Sequence, residues 1–175
     1  ILSYLNNYQG KEILEVGNVL SQYFGKHYPT VDRQEKDYNA ILSDIVDFKS
    51  DKKFDLIVSI STMEHVGTED DHARGTEKGE IIPDKILIAI ENIKSLLNKY
   101  SKFVFTVPKG YNRDLDKKLC CCPNFGGLNL DKMICMKRIS EDNQWIECNY
   151  TEIAQEEYGK PFPFANAIII GEING

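Results

Sequence analysis

Three acidic residues in this chain stand at the ends of short apolar runs, where a carboxylate can meet a ligand. Lys11-Glu12-Ile13-Leu14-Glu15-Val16-Gly17-Asn18-Val19-Leu20-Ser21 carries an apolar run through Glu15 into a turn at Gly17. Thr30-Val31-Asp32-Arg33 closes a second run on Asp32, and Ile41-Leu42-Ser43-Asp44 closes a third on Asp44. A fourth run covers Phe54 to Ser61. Ionised carboxylates only accept hydrogen bonds, whereas ribose hydroxyls and the exocyclic amine of adenine donate them. Strand-end acids in this order predict a nucleoside-binding crevice at the carboxyl edge of a doubly wound sheet. Each acid also has a local use, since Asp32 could cap the segment that follows and Asp44 could close a turn on its own backbone.

The elements that must position these residues follow from periodicity. Residues 1 to 9 read as the tail of a helix with Tyr4, Leu5 and Tyr8 on one side. Lys11 to Val16 is the first strand, buried and central, and Leu20 to Lys26 is a helix of barely two turns. Pro29 to Asp32, Ala40 to Ser43 and Phe54 to Ser61 are the next strands, with a charged turn at Asp47 to Lys53. The polar stretch Gly67 to Ile82 reads as a surface loop or lid, since long loops in compact domains are often functional. Pro83 opens a helix, as proline suits the first turn. Ile86, Ile90, Ile93 and Leu97 give that helix one apolar face, and it should stop near Asn98. Phe103 to Val107 is the fifth strand, followed by Pro108-Lys109-Gly110-Tyr111. Lys132 to Ile139 and Phe164 to Gly171 read as closing strands, an antiparallel pair at the sheet edge, and Gln144 to Glu147 as part of a further strand or the turn before it.

Composition narrows the class. A chain of 175 residues with 42% hydrophobic content can bury a core as one domain without metals or disulfides. It holds no apolar run long enough for a membrane span and no signal peptide. It opens on Ile1 rather than Met, so a natural N-terminal segment is expected to be missing. The formal net charge of −6 argues against a nucleic-acid backbone as main partner, because phosphate binding needs a basic surface. Lys109, Arg113, Lys117 and Lys118 form one local basic group, for which a solvated helix face is the simpler account. Five cysteines, three of them adjacent at Cys120 to Cys122, make a poor disulfide framework and lack metal-ligand spacing. They point to a reducing, cytoplasmic compartment.

The ordered set Glu15-Val16-Gly17, Asp32, Asp44 and Glu64-His65-Val66 resembles the class I (Rossmann-like) S-adenosylmethionine-dependent methyltransferases. The resemblance runs from about Gly10 to Tyr111 and, more weakly, to the C-terminus. It is also similar to the subgroup whose first loop reads Gly-Asn-Val-Leu-Ser. The resemblance implies a single α/β domain over residues 1–175: a doubly wound, mostly parallel seven-stranded sheet with an antiparallel edge strand and helices on both faces. It implies S-adenosylmethionine as cofactor and O- or N-methylation of a small molecule or glycan precursor. In that family a preceding segment often supplies helices that cap the substrate. One departure stands out: the family's turn carries two or three glycines, and here Gly17 is followed by Asn18, which tolerates a left-handed conformation and can replace one of them.

The resemblance also assigns roles. Glu15, Gly17 and Asn18 form the turn under the cofactor, Asp32 holds the ribose, and Asp44 accepts from the adenine amine while the Ile45 amide meets a ring nitrogen. Ser61 offers its carbonyl to the methionine portion. His65 is the candidate base for an acceptor that must lose a proton. Glu64 would orient it or bind the acceptor, and Lys109 and Tyr111 would hydrogen-bond a substrate hydroxyl or carboxylate. No metal is expected: Glu69, Asp70, Asp71 and His72 read as a solvated acidic loop. Two other readings stay open. One is a non-catalytic module of the same fold that binds the cofactor or a protein partner without turnover. The other, a nicotinamide-dependent oxidoreductase, is disfavoured because Gly-x-Gly-x-x-Gly is absent and the helix after the first strand is too short to cradle a pyrophosphate.

Overall fold

Ile13-Leu14-Glu15-Val16 is buried at every position, as a parallel strand covered on both faces must be. This is β1 (Ile13–Val16), near the middle of an eight-stranded sheet. The others are β2 (Thr30–Asp32), β3 (Ala40–Leu42), β4 (Phe54–Ile60), β5 (Leu97–Pro108), β6 (Lys132–Arg138), β7 (Trp145–Cys148) and β8 (Ala167–Asn174). The structure, a computed structural model, describes residues 1–34, 40–68, 82, 84–120 and 127–175. The acidic run Glu69 to His72, most of the expected lid, Pro83, Cys121 and Cys122 lie outside the described residues.

The strand order is β3-β2-β1-β4-β5-β8-β6-β7. β1 pairs in parallel with β2 and β4, β2 with β3, and β4 with β5. The order reverses between β1 and β4, so the carboxyl ends of these strands open on a crevice at the switch point. β8 runs antiparallel between β5 and β6, and β7 lies antiparallel on β6 at the rim. The sheet therefore has one strand more than the seven expected, because the Trp145 segment pairs fully with β6. β5 also begins earlier than Phe103: Leu97 pairs with Phe54 before a register shift.

Helices cover both faces. On one, α3 (Lys85–Leu96), α4 (Arg113–Leu119) and α5 (Tyr150–Ile153) set Ile90, Ile93, Leu115 and Ile153 against Leu14, Ile57, Phe103 and Ile169. On the other, Leu5 of α1 (Leu2–Asn7) and Leu20 of α2 (Leu20–Phe24) pack over Ile13, Leu56, Val58 and Val104. Each such aliphatic side chain contributes about 1.5–3 kcal/mol on burial. No helix among the described residues is long and apolar enough to cross a membrane.

The second face also holds a charge. Glu172 of β8 is buried; it accepts from the Tyr4 hydroxyl of α1 and pairs with Lys102 Nζ at 2.7 Å and Lys132 Nζ at 3.2 Å. Burial alone would raise its pKa, but these three donors outweigh it and bring it down to about 2. A carboxyl depressed in the fold adds stability above its unfolded value near 4.5, and that stability is lost as pH falls toward 2. Glu172→Gln should therefore lower the unfolding free energy at pH 7 by about 2–3 kcal/mol. The difference from wild type should close between pH 4.5 and 2 in urea titrations.

Candidate functional site

The site begins beneath the first turn. Glu15 is fully buried, and its Oε1 accepts from the amides of Val19 at 2.8 Å and Leu20 at 2.7 Å. These amides open α2, so the carboxylate does the work of a helix N-cap from within β1. Burial raises the Glu15 pKa, the two amides offset this incompletely, and the nearby charge of Asp32 adds to the rise. The turn is closed further by Asn18 N donating to Asp32 Oδ2 at 3.2 Å and by the Ser21 hydroxyl donating to Asn18 Oδ1. Gly17 sits at φ +87°, where a Cβ would lie 2.0 Å from Thr62 Oγ1. The glycine is thus required both by its backbone angle and by the β4 loop packed on it.

Above this turn lies a cavity of about 410 Å³, within the range of nucleoside-sized sites. Gly17, Asn18, Asp32, Asp44, Ile45 and His65 all line it. Val16, Val31 and Val66 supply apolar wall. Asp32 Oδ1 also accepts from Gln34 N at 2.7 Å. Glu15 lies under the cavity, and Ser61, at the end of β4 with φ +44°, is not among its lining residues.

The far wall is set by α3, whose contribution the sequence reading missed. Lys85 Nζ contacts Asp44 Oδ2 at 2.6 Å, and both residues line the cavity. Burial would raise the Asp44 pKa, but Lys85, the Val46 amide and Arg33 together hold it below the usual carboxylate value. About two turns along the helix, Asn92 Nδ2 donates to the carbonyls of Ile45 at 2.6 Å and Phe48 at 2.8 Å. The segment after β3 is therefore fastened at two points. Asp84 at the start of α3 pairs with Lys118 of α4 at 3.0 Å, and Lys118 also pairs with Asp114 at 2.8 Å. A lysine one residue inside a helix carries no local mark of this role.

The remaining expected residues gather on the other side of His65. The His65 ring meets Tyr111 edge to face at 5.0 Å, and Tyr111 meets Tyr158 likewise at 5.0 Å. Glu64 is buried, with Oε1 3.9 Å from His65 Nε2, and its carbonyl accepts from Asn112 Nδ2. Glu64, Lys109 and Tyr111 do not line the cavity itself. Lys109 is buried and pairs with Asp116 at 3.3 Å, and Asp116 also accepts from Gly110 N. The basic group is thus not a solvated helix face as a whole, since Lys109 and Lys118 are both turned inward. Among the described residues no group of three or more His, Cys, Asp or Glu side chains is placed to hold a metal ion.

No protein-family profile matches the chain, and no curated protein matches it in sequence. Solved structures do resemble it. The N-methyltransferase NodS from Bradyrhizobium japonicum superposes with a TM-score of 0.50 at 11% identity, over 99% of this chain and 93% of that one. An S-adenosylmethionine-dependent methyltransferase from Clostridium acetobutylicum gives 0.47 at 13% identity, over 99% and 88%. The CcbJ methyltransferase from Streptomyces caelestis gives 0.46 at 10%, over 99% and 87%. At such identity the likeness is one of fold, and the fold is the Rossmann-like one seen in NodS.

Two substitutions test this geometry. A carboxyl whose pKa is raised by folding binds its proton more tightly in the native state, so Glu15 costs stability as pH rises above its usual value of 4.5. Glu15→Ala should destabilise by about 2–4 kcal/mol through the lost cap and the cavity left behind. Glu15→Gln keeps an oxygen for both amides, and should flatten the fall in stability that denaturation curves of the wild type are expected to show as pH rises above 4.5. In the second test, Lys85→Met should raise the Asp44 pKa in a carboxyl NMR titration of the ligand-free chain. An unmoved value would remove Lys85 as the group that keeps Asp44 ionised.

Proposed function

We propose that this chain is a class I S-adenosylmethionine-dependent methyltransferase with a Gly-Asn-Val-Leu-Ser first loop, acting on a small-molecule or glycan-precursor acceptor. The observation that carries the reading is the spent N-terminus of α2. The amides that a dinucleotide's pyrophosphate would use are bonded to Glu15, and α2 is only five residues long. Acceptors, by contrast, line the cavity at Asp32 and Asp44. An adenosyl ligand without phosphates, offering ribose hydroxyls and an exocyclic amine as donors, matches that set.

S-adenosylmethionine, when bound, supplies an electrophilic methyl carbon, so the protein's part is chiefly to bind, align and exclude water. Asp32, which lines the cavity, would take the ribose hydroxyls. Asp44, kept ionised beside Lys85, would take the adenine amine. His65 stands where the cavity meets the Tyr111 side and would remove a proton from a hydroxyl or amine acceptor. Glu64 would hold the imidazole from beneath. The single glycine of the first turn, where the resembling family carries two or three, favours a second reading: a module that binds the cofactor without turnover.

Calorimetry distinguishes these readings. S-adenosylmethionine and S-adenosylhomocysteine should bind in the micromolar range and NAD should not. Asp44→Ala should weaken the former by about 10–100-fold, the worth of one hydrogen bond to a charged group. Binding of NAD alone would overturn the proposal. Tight binding with no methyl transfer to any amine or hydroxyl acceptor would leave the non-catalytic module.

A further inference from the structure

We propose that Tyr158, together with Tyr111 and His65, forms the wall of a binding site for an amine carried in its ammonium form, with Glu64 as the counter-charge behind the rings. The proposal deepens the methyltransferase reading by naming the class of acceptor, and rests on that reading only for what the site serves. It begins with a loop fixed far more firmly than a connection requires. Between α5 and β8 the chain runs through residues 154–166 largely without regular structure. Asn166, buried, ties that loop to itself: its Nδ2 donates to the carbonyls of Phe162 and Phe164, and its Oδ1 accepts from Phe162 N. Arg138 of β6, also buried, donates to the carbonyls of Ser140, Glu141 and Pro163. Buried groups so fully bonded hold a backbone in one place.

What the loop presents is Tyr158. Its backbone rests directly on Gly110, at φ +87°, where a Cβ would come within 2.7 Å of Tyr158 N. Gly110 is held in turn by Asp116 and its partner Lys109. The side chain remains 37% exposed, so a ligand can reach it. It closes a row of three rings at 5.0 Å spacings that starts at the cavity with His65.

Charge decides the class of ligand. Tyrosine faces attract cations and not anions. The Glu64 carboxylate lies within reach of this row, and its field acts on Tyr158: burial first, then Glu64, raises the phenol's pKa, which keeps the hydroxyl protonated. Lys109 is buried against Asp116, and Lys160, two residues from Tyr158, is paired with Glu157, so the cations beside the row are already committed to carboxylates. Rings, a buried carboxylate and withdrawn lysines together suit an alkylammonium group.

The test uses choline and its uncharged isostere 3,3-dimethylbutan-1-ol as probes, titrated against the whole chain by NMR with the tyrosine ring signals as readout. Wild type should bind choline about two- to fivefold more tightly than the alcohol, the scale of a cation over exposed rings. Tyr158→Phe should keep that preference, and Tyr158→Leu should abolish it. Equal binding of the two probes to wild type, or an unchanged preference in Tyr158→Leu, overturns the proposal. S-adenosylhomocysteine is titrated into the same wild-type sample. Its binding without a choline preference removes the amine site alone. A choline preference without its binding removes the cofactor reading and leaves the cation site in place.

Discussion

The cap that Glu15 places on α2 is the interaction on which the rest of the site depends. β1 is short and wholly buried, so the direction in which the chain leaves it is set within a few residues. A buried carboxylate accepting two amides pins Val19 and Leu20 directly above the strand. Gly17 and Asn18 are thereby forced into a tight turn, and Asn18 N is delivered to Asp32 at the end of the neighbouring strand. The two strand-end acids thus become parts of one arrangement, one below the turn and one beside it. The cost is a carboxylate in a dry place near a second one, which is why the Glu15 proton is held above its usual range.

The second organiser is α3. Its apolar face seats it on the sheet, and its polar residues reach out from that seat in two directions. Asn92 and Lys85 hold the segment from Asp44 to Phe48, whose first two residues line the cavity. Asp84 reaches the other way to Lys118 and so to α4. The cavity and the ring-lined side of His65 therefore rest on one rigid helix. Around the site Lys85, Lys109 and Lys118 are each tied to an aspartate, while Arg33 stands exposed at the cavity.

The strand-end acids were legible because the chemistry and the fold leave the same mark: an apolar run too short for a helix, stopped by a carboxylate. That mark puts Asp32, Asp44 and the turn at Gly17 at or just past strand ends, where the structure has them, while their roles came from the resemblance. The antiparallel strand at Trp145 was half legible, since an exposed edge strand lacks a continuous apolar run. Lys109 and Lys118 were misleading for a physical reason: a lysine beside an expected ligand edge reads the same whether it meets solvent or an aspartate seven or four residues away. Lys85 and Tyr158 left no mark, because their roles come from contacts with Asp44 and Gly110 that lie 41 and 48 residues distant in sequence.

The glycine-poor turn bears on what the site can hold. A turn built of several glycines owes its shape to missing side chains and leaves its amides open, so a helix N-terminus behind it can receive an anion. Here the shape is held by hydrogen bonds that Glu15 and Asp32 accept and Ser21 donates, and the first amides of α2 are consumed in making it. The partial positive charge of the helix end is met from inside the fold. A phosphate brought to this turn would face a carboxylate already in the place it needs. The turn thus spends its amides within the fold, and the groups that line the cavity beside it include the carboxylates of Asp32 and Asp44.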